Sequence, residues 1–393
     1  MKFKDIIIGI PREIMSGEKR VSATPETIMK FTNEGAKVLV EKGAGIEAFY
    51  NDSEYSEAGA KILPGAKEIF GNSDVILKVK EPGFNKKEGK HEIDMMKDNS
   101  ILVTFLHPAN KINHMMVQKL AERGITGFTL DSIPRISRAQ HMDALTSMST
   151  MAGYRSVISG AYNLRRIVPM IATSSCTVGP SNSLVVGVGV AGLQAVATAK
   201  RLGARVKTID IRPEACEQAK SLGAEVIPFE VPGELSIGND GYAKRLPEKL
   251  YDLERKTIAP HLIESDLVIL SALIPRELAP ILVSKSMVEG MKKGSVIIDI
   301  SIDQGGNCEL TREGEEYDYN GVFISGIKNI PAYLTIDSTK MFAENVWNFL
   351  NLIFEEGKIN LNMDDEIISK SIVTKDNKII HEETLKAIRN STK

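Results

Sequence analysis

Cysteine is scarce in this 393-residue chain: Cys176, Cys216 and Cys308 lie far apart and form no metal-ligand pattern. That excludes a disulfide scaffold and a thiolate metal site, and it fits free thiols in a reducing cytoplasm. Neither sign of charge dominates, with 49 Lys and Arg against 51 Asp and Glu. A nucleic-acid binder, which needs a basic footprint, is therefore disfavoured. No apolar run is long enough to cross a bilayer. The longest uncharged stretch, 167–199, is broken by Pro169, Pro180, several serines and glycines, and Asn182. The opening MKFKDIIIGIPRE has too short an apolar run for a signal peptide and reads as a first buried strand. The chain reads as soluble, or as docking on something that crosses a membrane. Its length predicts two domains.

What the sequence does contain is concentrated at 183–210, SLVVGVGVAGLQAVATAKRLGARVKTID. A β-branched run leads into Gly187-x-Gly189-x-x-Gly192. A helical segment follows, then a strand over 206–209 that ends on Asp210. This is the dinucleotide-binding order of strand, glycine turn, helix, strand and acid. Gly187 permits the tight turn, Gly189 lets backbone approach a pyrophosphate, and Gly192 lets helix pack on strand. The helix start offers free N–H groups and partial positive charge to phosphates. Asp210 can accept hydrogen bonds from both ribose hydroxyls of NAD, whereas a 2′-phosphate would meet a like charge. NAD(H) is expected over NADP(H).

Strand-like runs at 6–10, 37–40, 75–79, 101–105 and 125–130 alternate with helical spacing at 25–34 and 115–123. This predicts a parallel sheet with helices on its faces. The glycine fingerprint begins a second such sheet, with further strands at 226–229, 267–271, 296–300 and 322–325. A proline-free stretch, 139–164, is long enough for one connecting helix, and a second helix is expected at 338–353. The tail at 367–374 and 378–381 is expected to return to the first domain. The expected fold is α/β: two doubly wound, Rossmann-like parallel-sheet domains joined by long helices. The boundaries fall at 1–145 with 335–393, and at 146–334. A cleft between the sheets would let an NAD-bound ring face the first domain.

At the expected hinge stand Arg135, Gln140 and Asp143. Gln140 and Asp143 are three residues apart, on one helical face. Alone, they read first as a capping network at a solvated helix start. The loop GNDGYAK at 238–244 adds an exposed aromatic, Tyr242, flanked by Gly238 and Gly241. It is either an ordinary surface connection or a segment that closes over a ligand.

RISRAQ (135–140), AGYRSV (152–157), the glycine fingerprint, GNDGYAK, LIP (273–275), GSVIIDIS (294–301) and QGGNCELT (304–311) together resemble the NAD(H)-binding subunit of proton-translocating NAD(P) transhydrogenase. That family is related to alanine dehydrogenase, and the resemblance spans nearly the whole chain. It implies a homodimer on the cytoplasmic face of membrane-embedded subunits. It also implies hydride transfer from NADH to NADP⁺ held by a separate partner domain. Carried over, Arg135, Gln140 and Asp143 are nicotinamide-side residues, and Thr146 keeps the hydroxyl of a usual serine. Val190 and Leu273 line the NAD site, Asp210 and Arg212 serve the adenosine ribose, and Tyr242 is the mobile-loop tyrosine. Glu254 stands where glutamine is common. Direct transfer between two nicotinamides needs no protein acid or base at the reacting carbon, so positioning and exclusion of water are the site's work.

KVKEP (78–82), TFLHPA (104–109) and IDQGG (302–306) are more similar to alanine dehydrogenase. In that enzyme, positions matching Arg20, Lys80, His107 and Asp303 hold the oxoacid and supply acid/base chemistry, and Asn329 sits near the nicotinamide. Arg20 and Lys80 would clamp a carboxylate, while His107 would shuttle a proton. An NAD-dependent amino-acid dehydrogenase is therefore the alternative reading. A regulatory NAD-binding module without chemistry is a third, though it has no need of the hinge motif, the loop and the polar cluster together.

Overall fold

A computed structural model describes residues 1–236, 238, 243–274 and 277–391. It divides into two compact units, Met1–Met148 with Ala332–Lys393, and Ser149–Pro331.

In the first unit, six parallel strands run in the spatial order Lys61–Leu63, Lys37–Glu41, Ile7–Ile10, Val75–Leu77, Ile101–Thr104 and Thr126–Thr129. In chain order this is 3-2-1-4-5-6, the doubly wound arrangement. At the other edge, Ile372–Lys375 pairs antiparallel with Thr126–Thr129, and Lys378–Ile379 completes the sheet. Helix Thr335–Ile353 lays Phe342, Val346, Phe349 and Leu350 onto Ile8, Val103 and Phe128, all at most 1% exposed.

The second unit repeats the winding. Its order is Glu225–Val226, Arg205–Ile209, Asn182–Val186, Leu267–Leu270, Val296–Asp299 and Val322–Ser325, with Glu316–Tyr319 antiparallel at the edge. Leu184, Val185, Val186 and every residue of Leu267–Leu270 have no exposure, as strands covered on both faces require. Each sheet therefore has a switch point between its first and fourth strands. Ligand crevices form there, at the carboxyl ends.

Three local expectations need correction. The long helix does not begin at residue 139. Ser137–Met142 is a 3₁₀ turn, and the α-helix runs Ala144–Asn163. The break lies at Asp143, whose carboxylate accepts the Thr146 N–H at 2.8 Å and its hydroxyl at 2.6 Å. An Asp bonded this way starts a helix rather than continuing one. Gln140 and Asp143 thus do not share an α-helical face. The strand expected at 226–229 is only Glu225–Val226, because Pro228 has no N–H to donate. The short edge strands Lys61–Leu63 and Glu316–Tyr319 were not expected. Among the described residues no helix is long and apolar enough to cross a membrane.

Candidate functional site

The second unit's switch point is built by glycine. Gly187, at φ +83°, has no room for a side chain: a Cβ would lie 2.6 Å from the Ala272 nitrogen. A Cβ on Gly192 would fall 2.0 Å from the Gly187 carbonyl oxygen. Gly189 is the opposite case, its nearest such neighbour being Arg212 Nη2 at 3.9 Å. It also begins helix Val190–Arg201 with no side chain capping it. The first-turn N–H groups are thus left facing an open cradle, as an anion site requires. A dinucleotide fits here: the backbone is closed where helix meets strand and open where a pyrophosphate would approach. From behind, helix Ala144–Asn163 presses on this turn, and a Cβ on Gly153 would sit 2.1 Å from the Ala191 oxygen. Val190, inside the turn, is half-buried.

Asp210 is 7% exposed, and its carboxylate is fully engaged. One oxygen accepts the Val188 N–H at 2.6 Å and Arg212 Nη2 at 2.8 Å. The other accepts the Arg212 N–H at 2.8 Å and its Nε at 2.9 Å. These are all four acceptor positions a carboxylate offers. Asp210 therefore braces the glycine turn, and it can accept a ribose hydroxyl only when Arg212 releases a bond. Near it stands Glu254, 4% exposed. Burial first, then the neighbouring Asp210, pushes its carboxyl up to about 8, with Arg255 a smaller opposing influence.

The segment after strand Leu267–Leu270 forms the other lip. Ser271 donates to the Gly187 carbonyl at 2.7 Å. Buried Asn307 accepts the Ala272 N–H at 3.0 Å and donates to the carbonyls of Ala272 at 2.7 Å and Pro280 at 2.8 Å. This fixes the backbone leading to Leu273, which is 39% exposed. Asn307 lies in the QGGNCELT motif, yet sequence reasoning gave it no role. Gly241 and Tyr242 lie outside the described residues.

In the first unit, Arg135 and Gln140 are exposed, and half-buried Asp143 is hydrogen-bonded to half-buried Thr146. The first-unit residues of the alternative set, Arg20, Lys80 and His107, follow strands' carboxyl ends, and Arg20 and His107 are engaged by carboxylates. Arg20, 3% exposed, gives Nε to Glu18 at 2.7 Å and Nη2 to the other oxygen of Glu18 at 2.6 Å. Glu13 crosses the switch point to accept the Val79 N–H at 2.6 Å. Lys78, not Lys80, is the fully buried cation, set between Glu13 at 3.1 Å and Glu92 at 3.3 Å. Lys80 is half-buried. His107, its side chain 42% exposed, lies 3.6 Å from Glu81 and 3.4 Å from Asp131. Desolvation lowers the imidazole's pKa, but Asp131 and Glu81 outweigh it and raise the value above the ordinary one. Asp303, exposed, and Asn329, half-buried at φ +52°, belong to the second unit. Glu13, Glu18, Glu81, Glu92 and Asp131 were missed because single acidic residues carry no spacing signal.

Two family models match the chain: alanine dehydrogenase/PNT, N-terminal domain, over residues 9–152, and alanine dehydrogenase/PNT, C-terminal domain, over 156–382. The chain is 40% identical over 377 residues to the first part of NAD(P) transhydrogenase subunit alpha of Rhodospirillum rubrum, covering 95% of this chain and 97% of that one. It is 30% identical over 390 residues to alanine dehydrogenase of Methanococcus maripaludis, with 97% and 96% covered. The solved transhydrogenase from Sinorhizobium meliloti superposes with a TM-score of 0.81 at 33% identity, covering 95% of this chain and 99% of that one.

Proposed function

The chain belongs to the alanine dehydrogenase/PNT family, and we propose that it is the NAD(H)-binding subunit of an NAD(P) transhydrogenase. The observation that carries this reading is the open, uncapped cradle at Gly189 with Asp210 bonded to the same turn. Gly187, Gly189, Val190 and Gly192 hold the pyrophosphate, and Asp210 with Arg212 takes the adenosine ribose. Leu273 covers the nucleotide, Tyr242 and Gly241 close over it, and Arg135, Gln140, Asp143 and Thr146 align the nicotinamide. When bound, NADH supplies a hydride to NADP⁺ carried by a partner domain. The protein's contribution is alignment and a dry site rather than proton transfer. Its partners are a second copy of the chain and membrane-embedded and NADP-binding subunits, with the protein peripheral at the cytoplasmic face.

One observation favours the amino-acid dehydrogenase alternative: His107 is poised between two carboxylates beside Lys80. One opposes it, since a substrate carboxylate must displace Glu18 from Arg20. Two assays separate the readings. The isolated chain should bind NADH and show negligible alanine-dependent NAD⁺ reduction. With an NADP-binding domain of this family it should exchange hydride between nicotinamide analogues, and Gln140→Ala should lower that rate while His107→Ala should not. Robust, His107-dependent amino-acid oxidation by the isolated chain would overturn the proposal.

A further inference from the structure

Within the hinge sequence RISRAQ, Arg138 is not among the residues assigned to the nicotinamide, yet both its terminal nitrogens are engaged. Nη1 gives to one oxygen of Asp365 at 2.7 Å and Nη2 to the other at 2.9 Å. An exposed ion pair is ordinarily weak, because two mobile side chains must be ordered to make it. Here the carboxylate is already ordered. Asp365, its side chain 15% exposed, caps helix Glu366–Ser371 by accepting the Ile367 N–H at 2.9 Å. A bidentate fork on a fixed carboxylate sets a direction as well as a distance.

This pair is one of two grips on the same turn. Ser137–Met142 is six residues of 3₁₀ helix, longer than such turns usually run, and no side chain caps its start. Ala139, within it, is fully buried. From helix Thr335–Ile353, Asn345 Nδ2 gives to the His141 carbonyl at 2.9 Å, and Asn348 Nδ2 reaches the same oxygen at 3.4 Å. Asn345 is 6% exposed, and its own oxygen has no partner among the described residues, so its amide is spent on the turn. Gln140 stands between the two grips. It is exposed, and its side chain makes no hydrogen bond among the described residues.

We propose that Arg138 and Asp365 are positioning residues of the hydride transfer: with Asn345, they fix the turn that presents Gln140. This rests on reading Gln140 as a nicotinamide-side residue. With Arg138 tied on one side, Ala139 buried and the His141 carbonyl tied on the other, Gln140 keeps little freedom beyond its own side chain. Segments more than 200 residues further along the chain thus set the geometry of a residue beside the reacting ring. Transfer between two nicotinamides depends on alignment, and a displacement of about 1 Å can lower such a rate by about a hundredfold. Loosening the turn should therefore slow transfer at saturating nucleotide while leaving nucleotide affinity and overall stability nearly unchanged.

The test is hydride exchange between nicotinamide analogues by the full chain with an NADP-binding domain of this family. Beside it run NADH titration, calorimetry and backbone hydrogen–deuterium exchange over 136–143. Arg138→Ala should lower the rate at saturating nucleotide by about tenfold or more. Its NADH Kd should stay within about twofold, and its Tm within about 2 °C, of wild type. Asp365→Asn, which keeps a capping side chain but loses the charge, should do the same. The double variant Arg138→Ala/Asp365→Asn should be no slower than the slower single one, because both changes remove one interaction. In all three, the amides of 136–143 should exchange faster. Lys97→Ala breaks the exposed Lys97–Asp74 pair of the same unit and should change none of these readings. An unchanged rate in Arg138→Ala, multiplying losses in the double variant, an equal loss in Lys97→Ala, or a Kd or Tm that shifts in step with the rate would overturn the proposal. The parent reading fails separately. If the wild-type chain transfers no hydride, the transhydrogenase reading falls, and amide exchange decides whether the pair fixes the turn: faster in the variants, that role stands; unchanged, it falls too. If transfer proceeds equally in every variant, only this proposal falls.

Discussion

Replacing Asp210 by Ala should damage the fold of the second unit as well as nucleotide binding, and the two losses can be measured apart. The wild-type carboxylate makes four hydrogen bonds, to Val188 N–H, to Arg212 N–H and twice to the Arg212 guanidinium. Removing it leaves the Val188 N–H, on a residue 1% exposed, without an acceptor. An unsatisfied buried donor of this kind costs about 1–3 kcal/mol. Breaking a fully buried ion pair costs about 3–5 kcal/mol. Arg212 is 15% exposed and can turn toward water, so the lower part of that range applies here. Together these give a loss of about 4–6 kcal/mol. For a unit of this size each kcal/mol moves Tm by about 2–4 °C, so a drop of roughly 8–24 °C is expected. Differential scanning calorimetry without nucleotide reads that term. NADH titration well below the variant's melting temperature reads the other, a further affinity loss of about 1–3 kcal/mol from the missing ribose acceptor. A variant that melts within about 2 °C of wild type would refute the bracing role. One that binds NADH unchanged would refute Asp210 as the ribose acceptor.

Two other substitutions probe the backbone behind the cradle. Asn307→Ala removes the amide that ties Ala272 to Pro280, and should cost about 2–4 kcal/mol while hastening proteolysis between those residues. Unchanged cleavage would show that the lip is held by other contacts. Gly153→Ala places a methyl against the Ala191 carbonyl and should shift the first turn of helix Val190–Arg201. An NADH Kd raised by about tenfold or more is the expected reading, and an unchanged Kd would mean the turn tolerates the push.

The parallel strands were legible in the sequence because their signal is local. Runs such as Leu267–Leu270 and 296–298 are β-branched or aliphatic and bounded by turn residues, and such runs form strands buried on both faces. The glycine turn was legible for a related reason, since each glycine answers a steric demand at a fixed offset. What escaped was side-chain competition. Composition and spacing do not say that Asp143 turns back on Thr146 and stops the helix there, nor that Lys78 rather than Lys80 is the cation drawn inside. Those outcomes depend on what lies opposite in space, Glu13 and Glu92 for Lys78, from segments distant in the chain.

Asp210 carries this distinction furthest. Its place after the second strand identified it as a ribose acceptor, a reading that treats the carboxylate as waiting for ligand. The folded chain gives it work beforehand: Arg212, two residues on, takes three of its four acceptor positions. Such a pair settles the cost of burying a carboxylate in the absence of nucleotide. If a ribose binds here, its hydroxyls would have to replace guanidinium bonds, freeing Arg212 toward the open side of Gly189, where its Nη2 already lies nearest. A guanidinium released there stands beside the helix start on which a pyrophosphate would rest, so cation and N–H groups would act on the same charge. The motif's acid is thus a latch on the motif's own turn, a role that its sequence position does not announce and only the three-dimensional arrangement reveals.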